Sequence, residues 1–183
     1  PNALDATYSD GQRVSKLTAT HGGAVTLYAI WSGKSYQVKF DPSGGTGTMA
    51  AQNFAVGASQ PLSQNTFVKT GYTFVGWTPE KDGTVVKYAN QQYVSNLGAA
   101  ESTVTLYAVW MANSFTVLFS GNGGLGTMSE VKFRYDQAQA LPKATFVRED
   151  YQFLGWSTSP SAVTPSFTDQ QSVKNLTVLN GDA

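Results

Sequence analysis

The chain has no cysteine and a single histidine, His21, so neither a disulfide framework nor a Cys/His metal site is available to hold it together. Charge is also scarce: only 13% of the 183 residues are charged, and 12 basic residues cancel 12 acidic ones. No run of Lys or Arg forms a stripe that would track a phosphate backbone, which argues against nucleic acid as a partner. No apolar stretch approaches the ~20 residues that cross a bilayer, so membrane insertion is not expected. No signal peptide opens the chain, as expected of an internal fragment. With so little charge, the surface falls to Ser, Thr, Asn, Gln and Gly, a composition suited to an extracellular setting.

What the chain does have is repetition. Phe40, Gly44, Gly45, Gly47, Thr48 and Met49 return as Phe119, Gly123, Gly124, Gly126, Thr127 and Met128, each 79 positions later. The register holds without a gap through Phe54 and Phe133, Thr66-Phe67-Val68 and Thr145-Phe146-Val147, Gly76-Trp77 and Gly155-Trp156, Val94 and Val173, and Leu97 and Leu176. Val25 to Trp31 likewise returns as Val104 to Trp110. The expected division is therefore residues 1–31 as the tail of an earlier repeat, 35–110 as a complete repeat, and 114–183 as a repeat lacking its closing strand. A unit of this size buries only a thin core, and recurring aromatics supply its mass in place of covalent links.

Period-2 alternation sets the local expectations. Tyr36, Val38 and Phe40 face one way and Gln37, Lys39 and Asp41 the other, the pattern of a half-buried strand; Phe115, Val117 and Phe119 repeat it. A glycine-rich turn and a second strand containing Phe54 and Val56, or Val131, Phe133 and Tyr135, complete a predicted hairpin. Pro61 and Pro142 limit any following helix to a turn or two. Tyr72 to Trp77 and Tyr151 to Trp156 read as an aromatic third strand. The segment from Val104 to Trp110, apolar at nearly every position, reads as a central strand covered on both faces.

Taken in order, Gly44-Gly45, Thr66-Phe67, Gly71-Tyr72, Gly76-Trp77 and Leu106-Tyr107-Ala108-Val109-Trp110 resemble the internalin-type B repeat, also called the Listeria-Bacteroides repeat. The resemblance covers essentially the whole chain. It implies mainly β units of small α+β, β-grasp or ubiquitin-like type, arrayed in tandem in large bacterial surface proteins between a binding head and the cell envelope. Asp150 departs from the pattern where Gly71 stands, as Phe167 does for Tyr88, and the last unit stops before its closing strand.

Sharper chemical readings find little to hold. Gly121, Gly123 and Gly126 spell a dinucleotide-type spacing, but an alternating strand follows where a helix would be needed, so a plain turn is expected. The carboxylates do not recur: Asp41 becomes Ser120, Glu80 becomes Ser159, Asp82 becomes Ser161, and Glu130 faces Ala51. Calcium at the Asp41 loop and acid–base catalysis are the readings they would carry, and a solvated surface is preferred to both. His21 stands beside Gly22-Gly23 with no partner, and Asn175-Leu176-Thr177 matches a glycosylation pattern that carries little weight in a chain resembling bacterial proteins. No catalytic, cofactor or metal residue is assigned, and no enzyme activity is expected. Trp77, Trp156, Phe67 and Phe146 are assigned to the core, whereas Tyr28 and Tyr107 fall on the opposite parity, suited to the second sheet face or the seam between units.

The expected function is a noncatalytic extracellular stalk, with an adhesive module for a glycan or host protein as the alternative. Short connectors, Ser32 to Ser35 and Met111 to Ser114, favour a semi-rigid rod whose partners are its neighbouring repeats. Head-to-tail self-association is a further expectation, because Val25 to Trp31 is a spare copy of the strand that the last unit lacks.

Overall fold

The computed structural model describes residues 7–181 and is mainly β, with no helix among them. Ten strands form in chain order: β1 Ser35–Asp41, β2 Gln52–Ala55, β3 Gln60–Pro61, β4 Tyr72–Thr78, β5 Tyr93–Val94, β6 Thr103–Ala112, β7 Ser114–Val117, β8 Val131–Arg134, β9 Gln139–Ala140 and β10 Ser172–Val173. The turn or two of helix allowed after the hairpin does not form. Gln60–Pro61 pairs instead with Tyr93–Val94, and the proline that limits a helix is accommodated in a two-residue edge ladder.

In the first repeat a four-stranded sheet runs in the order β2-β1-β6-β4. β1 and β2 are antiparallel, with Tyr36 opposite Phe54, while β6 lies parallel to β1 and antiparallel to β4. The apolar run of residues 104–110 is thus a central strand, flanked on both sides, with Leu106, Ala108 and Val109 all buried. The predicted hairpin forms, but its second strand is shorter than expected: Val56 lies beyond β2 and is exposed. The connection between the two strands is a long loop pinned to its neighbour by the Thr46–Val68 bridge.

The core gathers on one face. Tyr36, Val38, Phe54, Leu62, Phe67, Trp77, Val94, Leu106 and Ala108 are buried together. Tyr36 stacks on Phe54 at 5.4 Å, and Phe40 and Phe74 each approach Trp77 at 4.8 Å. Edge-to-face and offset geometries of this kind add to the area that the rings bury, so a few aromatics suffice for a unit without cross-links.

The second repeat copies the first only in part. Phe115 and Phe133 stack at 5.7 Å, and Leu141 and Val173 close a smaller core. Residues 151–156, expected as a strand, form none; a single bridge ties Trp156 to Phe167. The reason is the missing neighbour. β4 is held along its whole length by β6, and among the described residues nothing takes the place of β6 in the second repeat. Its first strand shrinks for the same reason, from the seven residues of β1 to the four of β7.

Residues 7–34 form no strand, and 25–31 are exposed throughout, although their sequence nearly repeats that of β6. A strand apolar on both faces needs a flank on each side, and this segment has neither. Residues 1–6 and 182–183, part of the expected terminal units, lie outside the described residues.

Candidate functional site

The most elaborated polar cluster lies where the two repeats meet. β6 runs into β7 with only Asn113 between them, and Asn113 is buried. Its backbone N–H donates to the Gly71 carbonyl at 2.9 Å, and its own carbonyl accepts from Tyr135 N–H at 2.8 Å. Its side-chain oxygen accepts from the Thr73 hydroxyl at 2.8 Å, and its amide nitrogen donates to the Val178 carbonyl at 2.7 Å. One residue is therefore bonded into the first repeat through Gly71 and Thr73, and into the second through Tyr135 and Val178. A buried amide bonded through both its oxygen and its nitrogen rigidifies the place where it sits.

A second contact lies beside it. The Tyr72 ring meets the Tyr135 ring edge-on at 5.8 Å, and the Tyr72 hydroxyl donates to Asp136 at 2.9 Å. Asp136 in turn accepts from the Asn175 amide at 3.0 Å and pairs with Lys174 at 3.1 Å. These bonds, the Asn175 amide first, then Lys174 and Tyr72, hold the Asp136 carboxyl down at about 2, against an ordinary 3.8. The same hydrogen bond raises the Tyr72 phenol. Gly71 makes the approach possible, since a side-chain carbon there would run into the Tyr135 ring. Its φ is +76°, and Asp150, at the matching place in the second repeat, keeps that left-handed turn at φ +59°. The turn survives the replacement; the space for a neighbouring ring is what glycine adds.

The joint therefore predicts a pH response. A carboxyl held below its ordinary pKa contributes above that value and loses the contribution as pH falls toward the depressed one. The Asp136 contacts should persist at neutral pH and be lost as pH falls from about 4 toward 2. Carboxyl NMR of Asp136 reads the titration directly, and an ordinary carboxylate pKa would overturn the contact. Gly71→Ala should displace Tyr135 and widen the spread of inter-repeat distances at neutral pH, with the core of each repeat retained.

The residues singled out from sequence are placed as follows. Trp77 and Phe67 are core, but Trp156 and Phe146 are only half-buried. Tyr107 is half-buried within β6, level with Asp41 and Thr78; the tyrosine at the seam is Tyr72. The recurring cations Lys69 and Arg148 lie over the recurring Tyr72 and Tyr151 rings, at 4.6 and 3.9 Å. Asp41 accepts from Ser43 N–H at 2.8 Å, and Ser120 does the same for Asn122 at 3.3 Å, so the Asp-to-Ser change preserves one turn. The Gly121 loop is a turn closed by Gly124 N–H on the Gly121 carbonyl at 2.8 Å. His21 lies exposed in a turn, and Asn175 is engaged with Asp136.

Recurrence marks none of Asn113, Tyr135, Asp136 and Lys174 as a joint residue: Asn113 reads as connector, and Tyr135 as part of a hairpin strand that in fact ends at Arg134. Lys34, Val56, Gly57 and Ser95 stand at the matching places. A core position must satisfy the same fold in every repeat, whereas a joint residue need only match its neighbour across the seam. The available signal was the reverse of recurrence, namely polar or aromatic residues in one repeat that the other replaces, near a short connector.

The other feature is an open groove of about 870 Å³ in the second repeat, between the 117–120 edge and residues 151–156, lined by Phe146, Trp156 and Phe167 together with polar residues such as Ser120, Arg148 and Ser157. It occupies the position that β6 fills in the first repeat. No trio of acidic or histidine side chains placed to hold a metal occurs among the described residues.

Small β units joined end to end through a built contact define a tandem-repeat protein. The chain belongs to the Listeria-Bacteroides repeat family, whose model matches residues 36–109 and 115–179. It is 35% identical over 136 residues to a putative Gly-rich membrane protein of Evansella cellulosilytica, covering 72% of this chain and 15% of that protein. It is 28% identical over 156 residues to Internalin H of Listeria monocytogenes, covering 85% of this chain and 25% of that protein. The chain thus corresponds to a quarter or less of the length of these relatives.

Proposed function

We propose that the chain is a noncatalytic, extracellular stalk segment of a bacterial surface protein, holding another domain away from the cell envelope. The joint carries this reading: Asn113 alone separates β6 from β7 and is bonded to both repeats. Such a contact passes direction from one repeat to the next, which a spacer needs and a flexible linker lacks. The shifts at Asp136 and Tyr72, elsewhere a mark of acid–base chemistry, arise here from structural hydrogen bonds: Asp136 is lowered by Asn175 first, then Lys174 and Tyr72, and Tyr72 is raised by its bond to Asp136. A surface location is supported by the kinds of bacterial protein to which the chain is similar.

The adhesive alternative calls for an exposed aromatic patch kept in both repeats. Tyr93 is 70% exposed, but Ser172 stands at its place in the second repeat. Tyr151, also exposed, matches the tyrosine that the first repeat uses at its joint.

The test measures the repeat-to-repeat vector. Ala50 and Ser129 are equivalent, exposed positions, and the chain has no native cysteine, so Ala50→Cys with Ser129→Cys gives two unique spin-label sites. Spin-diluted pulsed dipolar spectroscopy should return one narrow distance distribution. A broad distribution would overturn the stalk reading, and specific retention on a glycan or host-matrix array would favour the adhesive one.

A further inference from the structure

We propose that the joint selects its partner: a glycine turn on one repeat fits a Tyr-Asp turn on the next, like turns do not fit like, and the order of the two repeats is therefore fixed at their seam. The inference rests on the joint that carries the stalk reading, and adds to it which repeat can follow which. Two left-handed turns meet there. Gly71, at φ +76°, leaves the space that the Tyr135 ring enters, and Asp136, at φ +61°, directly follows that ring. The backbone of both turns recurs. Asp150 keeps the turn of Gly71 at φ +59°, and Gly57 keeps the turn of Asp136 at φ +81°. The cap on the second turn recurs too: the Asn96 side chain accepts from Gly57 N–H at 2.9 Å, and that of Asn175 from Asp136 N–H at 2.6 Å. On this common frame the first repeat has glycine at both turns and the second has aspartate at both.

Each residue of the observed pair has a physical reason to be what it is. Aspartate strains the backbone at a left-handed φ where glycine does not, so its side chain must hold it there. The Asp136 carboxylate does this by accepting from the Tyr72 hydroxyl at 2.9 Å and the Asn175 amide at 3.0 Å, and by pairing with Lys174 at 3.1 Å. Across the seam the requirement is the reverse. Gly71 is buried, and a side-chain carbon there would run into the Tyr135 ring, which meets Tyr72 edge-on at 5.8 Å. Glycine on one side gives the room, and Tyr-Asp on the other fills it.

Both mismatches fail, for different reasons. Set against Tyr135 and Asp136, an aspartate at the Gly71 position would take the space of the ring and bring a second carboxylate toward Asp136. Set against Gly71, Tyr72 and Thr73, the first repeat's own face would offer Lys34, Val56 and Gly57 in place of Asn113, Tyr135 and Asp136. The Thr73 hydroxyl would then lack the acceptor that Asn113 gives it at 2.8 Å, and Tyr72 would lack both a ring and a carboxylate. One wrong pairing is refused by a clash and a like charge, the other by bonds left unmade, and these are the two ways in which an interface discriminates.

The spin-labelled 183-residue chain, Ala50→Cys with Ser129→Cys, tests selection through each face and through both together. Gly71→Asp sets an aspartate turn against an aspartate turn. The single narrow distance peak should be lost, and carboxyl NMR should show Asp136 rising from about 2 toward 3.8. Tyr135→Val with Asp136→Gly sets glycine against glycine and should also lose the narrow peak. All three substitutions together restore one glycine turn and one aspartate turn, so the distribution should be narrower than for Gly71→Asp alone. Gly71→Ala, in place of Gly71→Asp, reads the clash without the charge, and unchanged tryptophan emission checks that the cores survive. Broadening that simply adds in the combined chain overturns selection, as does a Gly71→Asp chain as narrow as the label-only one; either result leaves the stalk reading standing. A broad distribution in the label-only chain sinks both.

Discussion

Trp77→Ala should unfold the first repeat, at a cost of ~3–5 kcal/mol, which is most of the stability a small unit has. The indole is 0% exposed and is enclosed by Phe40, Phe67 and Phe74, at ring distances of 4.8, 6.2 and 4.8 Å. Its backbone also ties the sheet to the following loop, donating to the Tyr88 carbonyl and accepting from Lys87 and Tyr88. Removing the ring leaves a cavity between aromatic walls that are themselves held by strands, so the site has little freedom to collapse. The buried indole N–H has no hydrogen-bond partner, a burden of ~1–3 kcal/mol that Trp77→Phe removes while keeping a ring, so Trp77→Phe should cost less than its loss of ring volume alone implies. Trp156→Ala should cost less again, because that ring is half-buried beside an exposed Phe153. Chemical denaturation followed by fluorescence measures all three. An unchanged midpoint for Trp77→Ala would overturn the core assignment.

Leu106→Asp should act still more strongly, converting the first repeat to the open condition of the second. Leu106 is fully buried in the middle of β6, where an aspartate loses the packing of the leucine and meets no cation. Together these effects amount to about 5 kcal/mol or more, beyond what the β1–β6 and β6–β4 ladders can retain. With β6 displaced, β4 should lose its protection as residues 151–156 already lack it, while β1 and β2 stay paired as β7 and β8 do. Hydrogen exchange resolves the two outcomes strand by strand. Fast exchange confined to β4 and β6 is expected, and uniform loss of protection through β1 and β2 would mean that the hairpin has no independent stability.

The second repeat, in which no strand takes the place of β6 among the described residues, shows where sequence reading loses its hold. Residues 72–77 and 151–156 share the Tyr-x-Phe-x-Gly-Trp pattern and have the same local preference for extended structure. Only the first becomes a strand. Residues 25–31 and 104–110 are nearly identical, and again only one is a strand. Strand propensity is in large part fit to a pleated surface between neighbours, so a segment of this kind acquires its structure from the flanks it meets.

By itself the sequence determined the repeat, its period, the hairpin, the central position of the 104–110 run and the aromatic identity of the core. These follow from alternation and recurrence, which act over a few residues or over one whole period. Tertiary structure alone decided how the repeats meet. Tyr72 belongs to a pattern that marks a core strand, yet its ring and hydroxyl are engaged with Tyr135 and Asp136 across the seam. Asn113 is one polar residue in a connector until the ends of two sheets bring Gly71, Thr73, Tyr135 and Val178 within hydrogen-bonding distance of it. Those partners lie up to 65 positions away and follow no period, so only the folded chain brings them together.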